Sequence, residues 1–142
     1  MDIRRITDAF SVSPQIMPED LAHLRARGFA LVVNNRPDGE EAGQPTGADI
    51  AVAAEEAGIA YHAIPVSGGF SETQVAAMAQ AIAGAAGPVF AFCRSGTRST
   101  LLWALAEASC GGNPEVIAAA AGCAGYDIAP VRAAVEQLAA SS

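Results

Sequence analysis

A short apolar run, Val89 to Phe92, leads directly into a polar loop, Cys93 to Thr97, and then into a helical segment, Arg98 to about Ser109, that is apolar on nearly every side. An uninterrupted apolar run of this length is typical of a strand that is covered on both faces of a sheet. A helix that is apolar all round belongs in the middle of a molecule. The order therefore predicts a layered α/β domain with this strand and helix at its centre.

Strand-like runs alternate with helical segments along the rest of the chain. Ile6–Gln15 is predicted to be an edge strand or a hairpin arm, and further strands are predicted over Phe29–Val33, Ile59–Val66 and Val89–Phe92. Helices are predicted over Pro18–Arg27, Thr46–Ala57, Ser71–Ala85, Arg98–Ser109, Asn113–Gly122 and Ala129–Ala140. This alternation predicts a mostly parallel sheet with helices on both faces, and functional sites at the carboxyl ends of its strands.

Several of the helix boundaries carry residue types that favour them. Thr46 is a predicted N-cap, and Gly58 is the predicted stop of the same helix. Ser71 and Gln74 have the spacing of a capping box, in which two side chains satisfy each other's free backbone N–H groups. Asn113 followed by a proline predicts the start of another helix.

The composition narrows the class of protein. With 142 residues the chain is expected to form one domain over residues 1–142, and its net charge of -7 argues against nucleic acid or an anionic membrane as a partner. The three cysteines, Cys93, Cys110 and Cys123, have neither metal-ligand nor disulfide spacing, so no metal and no cofactor is expected. No signal peptide or long apolar segment is apparent, and a reducing cytoplasm is the expected location. The oligomeric state stays open.

The loop that begins at Cys93 has the layout of an anion cradle around a thiol. Backbone N–H groups of Arg94 to Arg98 are expected to converge where the next helix begins, and the positive end of the helix dipole adds to them. Gly96 permits a close backbone approach to an anion. Such a field favours the thiolate, which is the nucleophilic form, so the loop predicts covalent chemistry on a small anionic substrate. The alternative is a cysteine that is merely a small buried apolar residue.

The other polar residues of the loop have distinct expected roles. Arg98 offers a planar fork that matches two oxygens of a tetrahedral anion. Ser99 is expected to donate its hydroxyl to the Cys93 thiolate. Arg94, next to the cysteine, is expected to point outward and widen the positive field. Ser95 and Thr97, together with Gly96, complete the predicted substrate-binding set.

If the anionic substrate is a phosphoester, its cleavage also requires an acid that protonates the leaving oxygen. Asp38 is the best candidate, because its loop follows a predicted strand and should open on the same rim as Cys93. The alternative is a solvated acidic turn, since Pro37-Asp38-Gly39 has ordinary β-turn chemistry.

The chain resembles the phosphatase-like domain of the beta-lactamase hydrolase-like protein family, a relative of the protein tyrosine and dual-specificity phosphatases. The resemblance covers nearly the full length. It rests on the segments NNRPDGEEAGQPT (Asn34 to Thr46), YHAIPVSGG (Tyr61 to Gly69) and FCRSGTRSTLLWALA (Phe92 to Ala106). A fourth segment, AAGYD, is matched by Ala120 and Ala121 followed by Ala124 to Asp127, with Gly122 and Cys123 as a two-residue shift between them. It implies a phosphatase-like α/β fold, with the cysteine loop between a central strand and a buried helix. It also implies Cys93 as the nucleophile, Arg98 as the oxyanion-binding arginine, and hydrolysis of phosphoesters through a phosphocysteine.

Two departures from the phosphatase pattern keep other functions open. Four residues separate Cys93 from Arg98, whereas phosphatases usually have five there, and the shorter spacing is typical of rhodanese-type sulfurtransferases that hold a persulfide. Phe92 stands where phosphatases usually have a histidine. The alternatives are therefore sulfur transfer through a Cys93 persulfide, or an anion-sensing or partner-binding module without turnover.

Overall fold

One five-stranded sheet forms the centre of the computed structural model, which describes residues 1–142. The strands are β1 Arg4–Thr7, β2 Phe10–Ser13, β3 Leu31–Asn34, β4 Ala60–Ala63 and β5 Val89–Phe92. Their order across the sheet is β1-β2-β5-β3-β4, so the strand before the cysteine is the central one. Only the β1 and β2 pair is antiparallel, which confirms the mostly parallel α/β sheet predicted from the sequence.

Six helices cover the sheet: α1 Asp20–Ala26, α2 Gly47–Ala57, α3 Glu72–Gly84, α4 Thr97–Ser109, α5 Pro114–Cys123 and α6 Arg132–Ser141. The helices α1 and α2 pack on one face, where Leu21 and Ile50 meet Phe90 and Phe92 of β5. The other four pack on the opposite face around α4. Helices on both faces are thus confirmed. None of the six combines the length and the hydropathy that a membrane-spanning helix requires.

The predicted caps are present at their helices. The Thr46 side chain accepts a hydrogen bond from the backbone N–H of Asp49 at 3.1 Å, and Gly58 ends α2 with a φ of 75°. Ser71 and Gln74 form the reciprocal capping box of α3. Local hydrogen-bonding chemistry therefore sets these boundaries.

Three predicted elements differ from the structure in ways that prolines and a turn explain. The segment Ile6–Gln15, predicted as an edge strand or a hairpin arm, is not one continuous strand, because it contains the turn of the β1–β2 hairpin between Thr7 and Phe10. The predicted strand Ile59–Val66 ends as β4 at Ala63, shortly before Pro65, which has no N–H for the ladder. The last predicted helix starts as a 3₁₀ turn, Ala129–Val131, and becomes α-helical at Arg132.

The strands β2, β3 and β5 end side by side. Ser13 lies opposite Phe92 in the β2–β5 ladder, and Asn34 lies opposite Phe92 in the β3–β5 ladder. The loops that follow these strands therefore open on one edge of the sheet, as expected for parallel strands. The long loop after Asn34 and the cysteine loop after Phe92 are neighbours for this reason.

The central position of α4 makes a stability prediction. Leu102 of α4 is fully buried, whereas Val116 of α5 is 67% exposed. Leu102→Ala should lower the free energy of unfolding by about 2–5 kcal/mol, because it removes buried contacts and leaves a cavity. The control Val116→Ala should stay within about 0.5 kcal/mol of the parent. Urea unfolding followed by circular dichroism measures both, and equal losses would contradict the central placement of α4.

Candidate active site

Cys93 lies between the end of β5 and the start of α4. Its side chain is fully buried, and its Sγ accepts a hydrogen bond from the backbone N–H of Gly96 at 3.1 Å. Gly96 has a φ of 90°, a conformation that other residues rarely adopt, and it is the N-cap of α4. The first N–H groups of a helix have no acceptor within the helix. The thiol therefore faces a backbone donor at the positive end of a helix dipole.

Arg98 is held in one orientation by two acceptors. Its Nη1 and Nη2 donate to the two carboxylate oxygens of Glu40 at 2.7 and 2.8 Å, and Nη1 also donates to the Val66 carbonyl at 2.8 Å. Its Nε donates to no protein acceptor, so the edge formed by Nε and Nη2 keeps a pair of N–H groups that are not bound by the protein. The Glu40 pairing raises the pKa of Arg98, and the charge of Cys93 contributes to the same rise.

Glu40 is in turn shared with a second arginine. The side chain of Arg36 is only 2% exposed and donates to Glu40 at 3.0 Å, to Gln15 at 3.1 Å and to Glu41 at 3.3 Å. The hydrogen bonds from Arg98, followed by those from Arg36, lower the pKa of Glu40 to about 2. Glu40 is therefore ionised over the whole physiological range, and it links the loop after β3 to helix α4.

The charges around the cysteine loop do not cancel. Arg94 is largely exposed and lies 3.6 Å from Glu41, so its charge is partly offset there. Three arginines, Arg36, Arg94 and Arg98, face two glutamates in this cluster. The cluster keeps one net positive charge in a chain whose net charge is -7.

The candidate acid Asp38 lies in an exposed turn of the loop that follows β3. Its Oδ1 accepts the backbone N–H of Gly47, the first residue of α2, at 2.8 Å. Unlike Glu40 and Glu41, it has no ion-pair partner. Asp38 therefore stabilises the start of α2 through one oxygen and leaves the other without a protein partner.

The other predicted substrate-binding residues lie in the loop with different surroundings. The hydroxyls of Ser95 and Thr97 bond to each other at 3.0 Å and are exposed. The Ser99 hydroxyl is fully buried and has no hydrogen-bond partner, so the bond to Cys93 expected from the sequence is not formed in this structure. The donor on Sγ is the Gly96 N–H instead.

Sequence reasoning missed Glu40, and it gave Tyr126 no defined role in the site. Glu40 follows Asp38 closely in an acidic stretch, and nothing in that stretch distinguishes a partner for Arg98 from a proton donor. Tyr126 donates its hydroxyl to the Ser95 carbonyl at 3.0 Å from a segment 31 residues away. No local sequence pattern predicts a contact between residues so far apart. No three His, Cys, Asp or Glu side chains gather in a way that would hold a metal ion.

Comparison with known proteins gives consistent matches. The family model of the beta-lactamase hydrolase-like protein, phosphatase-like domain, matches residues 2–110. The "Beta-lactamase hydrolase-like protein" of Agrobacterium fabrum is 45% identical over 105 residues, which are 73% of this chain but 24% of that protein. The chain thus spans about a quarter of the length of the curated relatives it matches.

Solved structures extend the match over the whole chain. A crystal structure of a Neisseria meningitidis protein proposed to be a phosphatase is 32% identical, with a TM-score of 0.83 over 97% of this chain and 99% of that one. The Pseudomonas aeruginosa protein TpbA, solved as a cysteine-to-serine variant with phosphotyrosine, shares the fold at a TM-score of 0.67 and 16% identity, over 98% of this chain and 88% of that one. The phosphatase-like fold is confirmed by these neighbours.

The Glu40 contacts predict a pH dependence of stability. Because the folded state lowers the pKa of Glu40 from 4.5 to about 2, its ionised form stabilises the fold fully above pH 4.5 and progressively less as the pH falls towards 2. Glu40→Gln should therefore be clearly less stable than the parent near neutral pH, and the gap should shrink below about pH 4.

Urea unfolding at a series of pH values measures this gap. The matched control is Glu56→Gln, since Glu56 is exposed on α2 and forms no ion pair. A gap for Glu40→Gln that does not change with pH would contradict the paired state of Glu40.

Proposed function

This chain belongs to the family of the phosphatase-like domain of beta-lactamase hydrolase-like proteins, and we propose that it acts as a cysteine-dependent hydrolase of phosphoesters. In this proposal Cys93 is the nucleophile and Arg98 binds the oxyanion. Arg94, Ser95, Gly96, Thr97 and Ser99 form the rest of the substrate-binding loop. The substrate is a small anion, and no cofactor takes part.

The single observation that carries the proposal is the orientation of Arg98. Glu40 accepts hydrogen bonds from the Nη1–Nη2 edge of the guanidinium, and the Val66 carbonyl accepts the second N–H of Nη1. The edge formed by Nε and Nη2 has no protein acceptor and stays available beside the cysteine loop. An arginine whose fork is already fixed loses little conformational freedom when an oxyanion binds. The Gly96 N–H on Cys93 Sγ supports the nucleophilic role, because hydrogen bonds to a thiolate favour the charged form.

The proposed reaction has two steps. The Cys93 thiolate attacks phosphorus, the bond from phosphorus to the ester oxygen breaks, and that oxygen takes a proton from Asp38. Water then attacks the phosphocysteine, returns a proton to Asp38 and releases inorganic phosphate and the thiolate. Asp38 is the proposed acid because Glu40 and Glu41 are both bound to arginines. An aryl phosphate is a suitable probe, since the structural neighbour TpbA was solved with phosphotyrosine.

Sulfur transfer is the second candidate function. The observation that favours it is the spacing of Cys93 and Arg98. Only four residues separate them, so the loop that would surround the anion is one residue shorter than in the phosphatase pattern. In this reaction the thiolate attacks the outer sulfur of thiosulfate, whose S–S bond breaks to release sulfite, or that of a persulfide, which releases the donor thiol. The sulfur on Cys93 later passes to an acceptor thiol, and the Cys93 thiolate is restored. No acid is needed for that exchange, so Asp38 has no part in it.

Adduct formation on Cys93 tests the nucleophile. After brief exposure to p-nitrophenyl phosphate at low temperature and quenching with a denaturant at neutral pH, peptide mass spectrometry should find a phosphate adduct on Cys93. The exposed thiols Cys110 and Cys123 serve as internal controls and should stay unmodified. Cys93→Ser should lower turnover at least ~10⁴-fold, because a hydroxyl there is a far weaker nucleophile.

A parallel sample with thiosulfate tests the second function. A sulfur adduct on Cys93, together with thiosulfate turnover that exceeds aryl phosphate turnover by orders of magnitude in kcat/KM, would reverse the ranking of the two functions. An absence of any adduct on Cys93 in both samples would contradict both.

Asp38→Asn tests the acid with little structural disturbance, because the amide oxygen can still accept the Gly47 N–H. We expect turnover of an alkyl phosphate, which has a poor leaving group, to fall by roughly 10²- to 10⁴-fold. Turnover of p-nitrophenyl phosphate should fall much less, since its leaving group departs without protonation. Steady-state kinetics on both substrates give the comparison, and alkyl phosphate turnover at the parent level would remove Asp38 from the mechanism.

A further inference from the structure

Three consecutive carbonyl groups of the cysteine loop accept hydrogen bonds from outside the loop. The Arg94 carbonyl accepts the backbone N–H of Gln15 at 3.4 Å, and the Gly96 carbonyl accepts the backbone N–H of Thr100 at 3.0 Å. The carbonyl between them, that of Ser95, is held by a side chain, the hydroxyl of a tyrosine. The Arg94 and Ser95 carbonyls are therefore bound by distant segments of the chain, whereas the Gly96 carbonyl takes part in the first hydrogen bond of α4.

That tyrosine is Tyr126, in the turn that follows α5. Its backbone N–H bonds to the Ala121 carbonyl at 3.0 Å, its Oη lies 3.0 Å from the Ser95 oxygen, and the Arg4 guanidinium lies 5.3 Å from the centre of its ring. A Cβ added to Gly96 would lie 2.2 Å from the same Oη. The tyrosine is thus fixed from several sides and closes tightly over the loop.

The Ser95 carbonyl and the Gly96 N–H belong to one peptide unit. In a trans peptide the two groups point in opposite directions, so a donor that holds the carbonyl outward directs the N–H inward. The inward N–H is the one that donates to Cys93 Sγ at 3.1 Å. Two hydrogen bonds on opposite sides of this peptide therefore fix its rotation.

We propose that Tyr126 is a positioning residue, which holds the Ser95–Gly96 peptide so that the Gly96 N–H stays directed at the Cys93 sulfur. The inference rests on the proposed function, because the fixed N–H serves the thiolate and the bound oxyanion. Burial is the main cause that raises the pKa of Tyr126, so its hydroxyl keeps its proton and remains a donor at any physiological pH. Tyr126 also lies outside the residues 2–110 that the family model matches.

The test uses Tyr126→Phe in the full chain, which removes the hydroxyl but keeps the ring over Gly96. Tyr61→Phe is the matched control, since the only other tyrosine is also partly buried and its hydroxyl bonds to the Asn34 side chain at 3.1 Å. We expect hydrogen exchange at the Gly96 amide, followed by NMR, to be faster in Tyr126→Phe. The dissociation constant of tungstate, measured by calorimetry, should rise about three- to tenfold, which is the usual effect of one lost hydrogen bond.

Further readouts separate positioning from a general loss of stability. In Tyr126→Phe the KM for p-nitrophenyl phosphate should rise together with the dissociation constant of tungstate. Its melting temperature should stay close to that of Tyr61→Phe. Tyr126→Leu, which also removes the ring over Gly96, should weaken tungstate binding further.

The outcomes distinguish this inference from the proposed function. If Tyr126→Phe binds tungstate and exchanges the Gly96 amide hydrogen as the parent does, the role of Tyr126 is overturned. The proposed function would still stand in that case, provided that the parent binds tungstate. A parent that neither binds tungstate nor forms an adduct on Cys93 would overturn the proposed function. Gly96 exchange alone would then decide the role of Tyr126, with faster exchange supporting it and unchanged exchange refuting it.

Discussion

The carboxylate of Glu40 binds two arginines at once, and the arrangement of the site depends on this sharing. Arg36 is almost completely buried, and a buried guanidinium without a counter-charge is strongly destabilising. Glu40 supplies that counter-charge and also binds Arg98, which is 58 residues away along the chain. The contact is possible because β3 and β5 end in register, so the loops that follow them meet at one edge. The sheet thus determines which loops meet, and the ion pair determines how Arg98 points.

This arrangement explains how the Glu40 carboxylate can bind Arg98 at the proposed anion site without occupying all of its N–H groups. Glu40 occupies only the Nη1–Nη2 edge of Arg98, and the Val66 carbonyl takes a further Nη1 hydrogen. These contacts fix the position of the Nε–Nη2 edge of Arg98 but do not use its N–H groups. Arg36 and Arg94 add positive charge around the two glutamates, although the protein as a whole is acidic.

Features of the fold that depend on neighbouring residues could be predicted from the sequence. The caps at Thr46 and Ser71 and the buried helix α4 each follow from short-range chemistry or periodicity. Contacts between distant segments could not. The partnership of Arg98 with Glu40 and the bond from Tyr126 to Ser95 depend on how the strands are ordered in the sheet, and no spacing in the sequence encodes that order directly. The cysteine loop is recognisable because its residues are contiguous, whereas the groups that hold it are not.

The two candidate chemistries use the same thiolate and the same arginine, and they differ in their need for a proton. Phosphoester cleavage requires a carboxyl group that can hold a proton near the leaving oxygen. Glu40 is kept ionised by its arginines, with a pKa of about 2, and Glu41 is bound to Arg36. The phosphatase proposal therefore depends on Asp38, which has one carboxylate oxygen on the Gly47 N–H and the other without a protein partner. Sulfur transfer has no such dependence, so the proton donor is what separates the two functions on this loop.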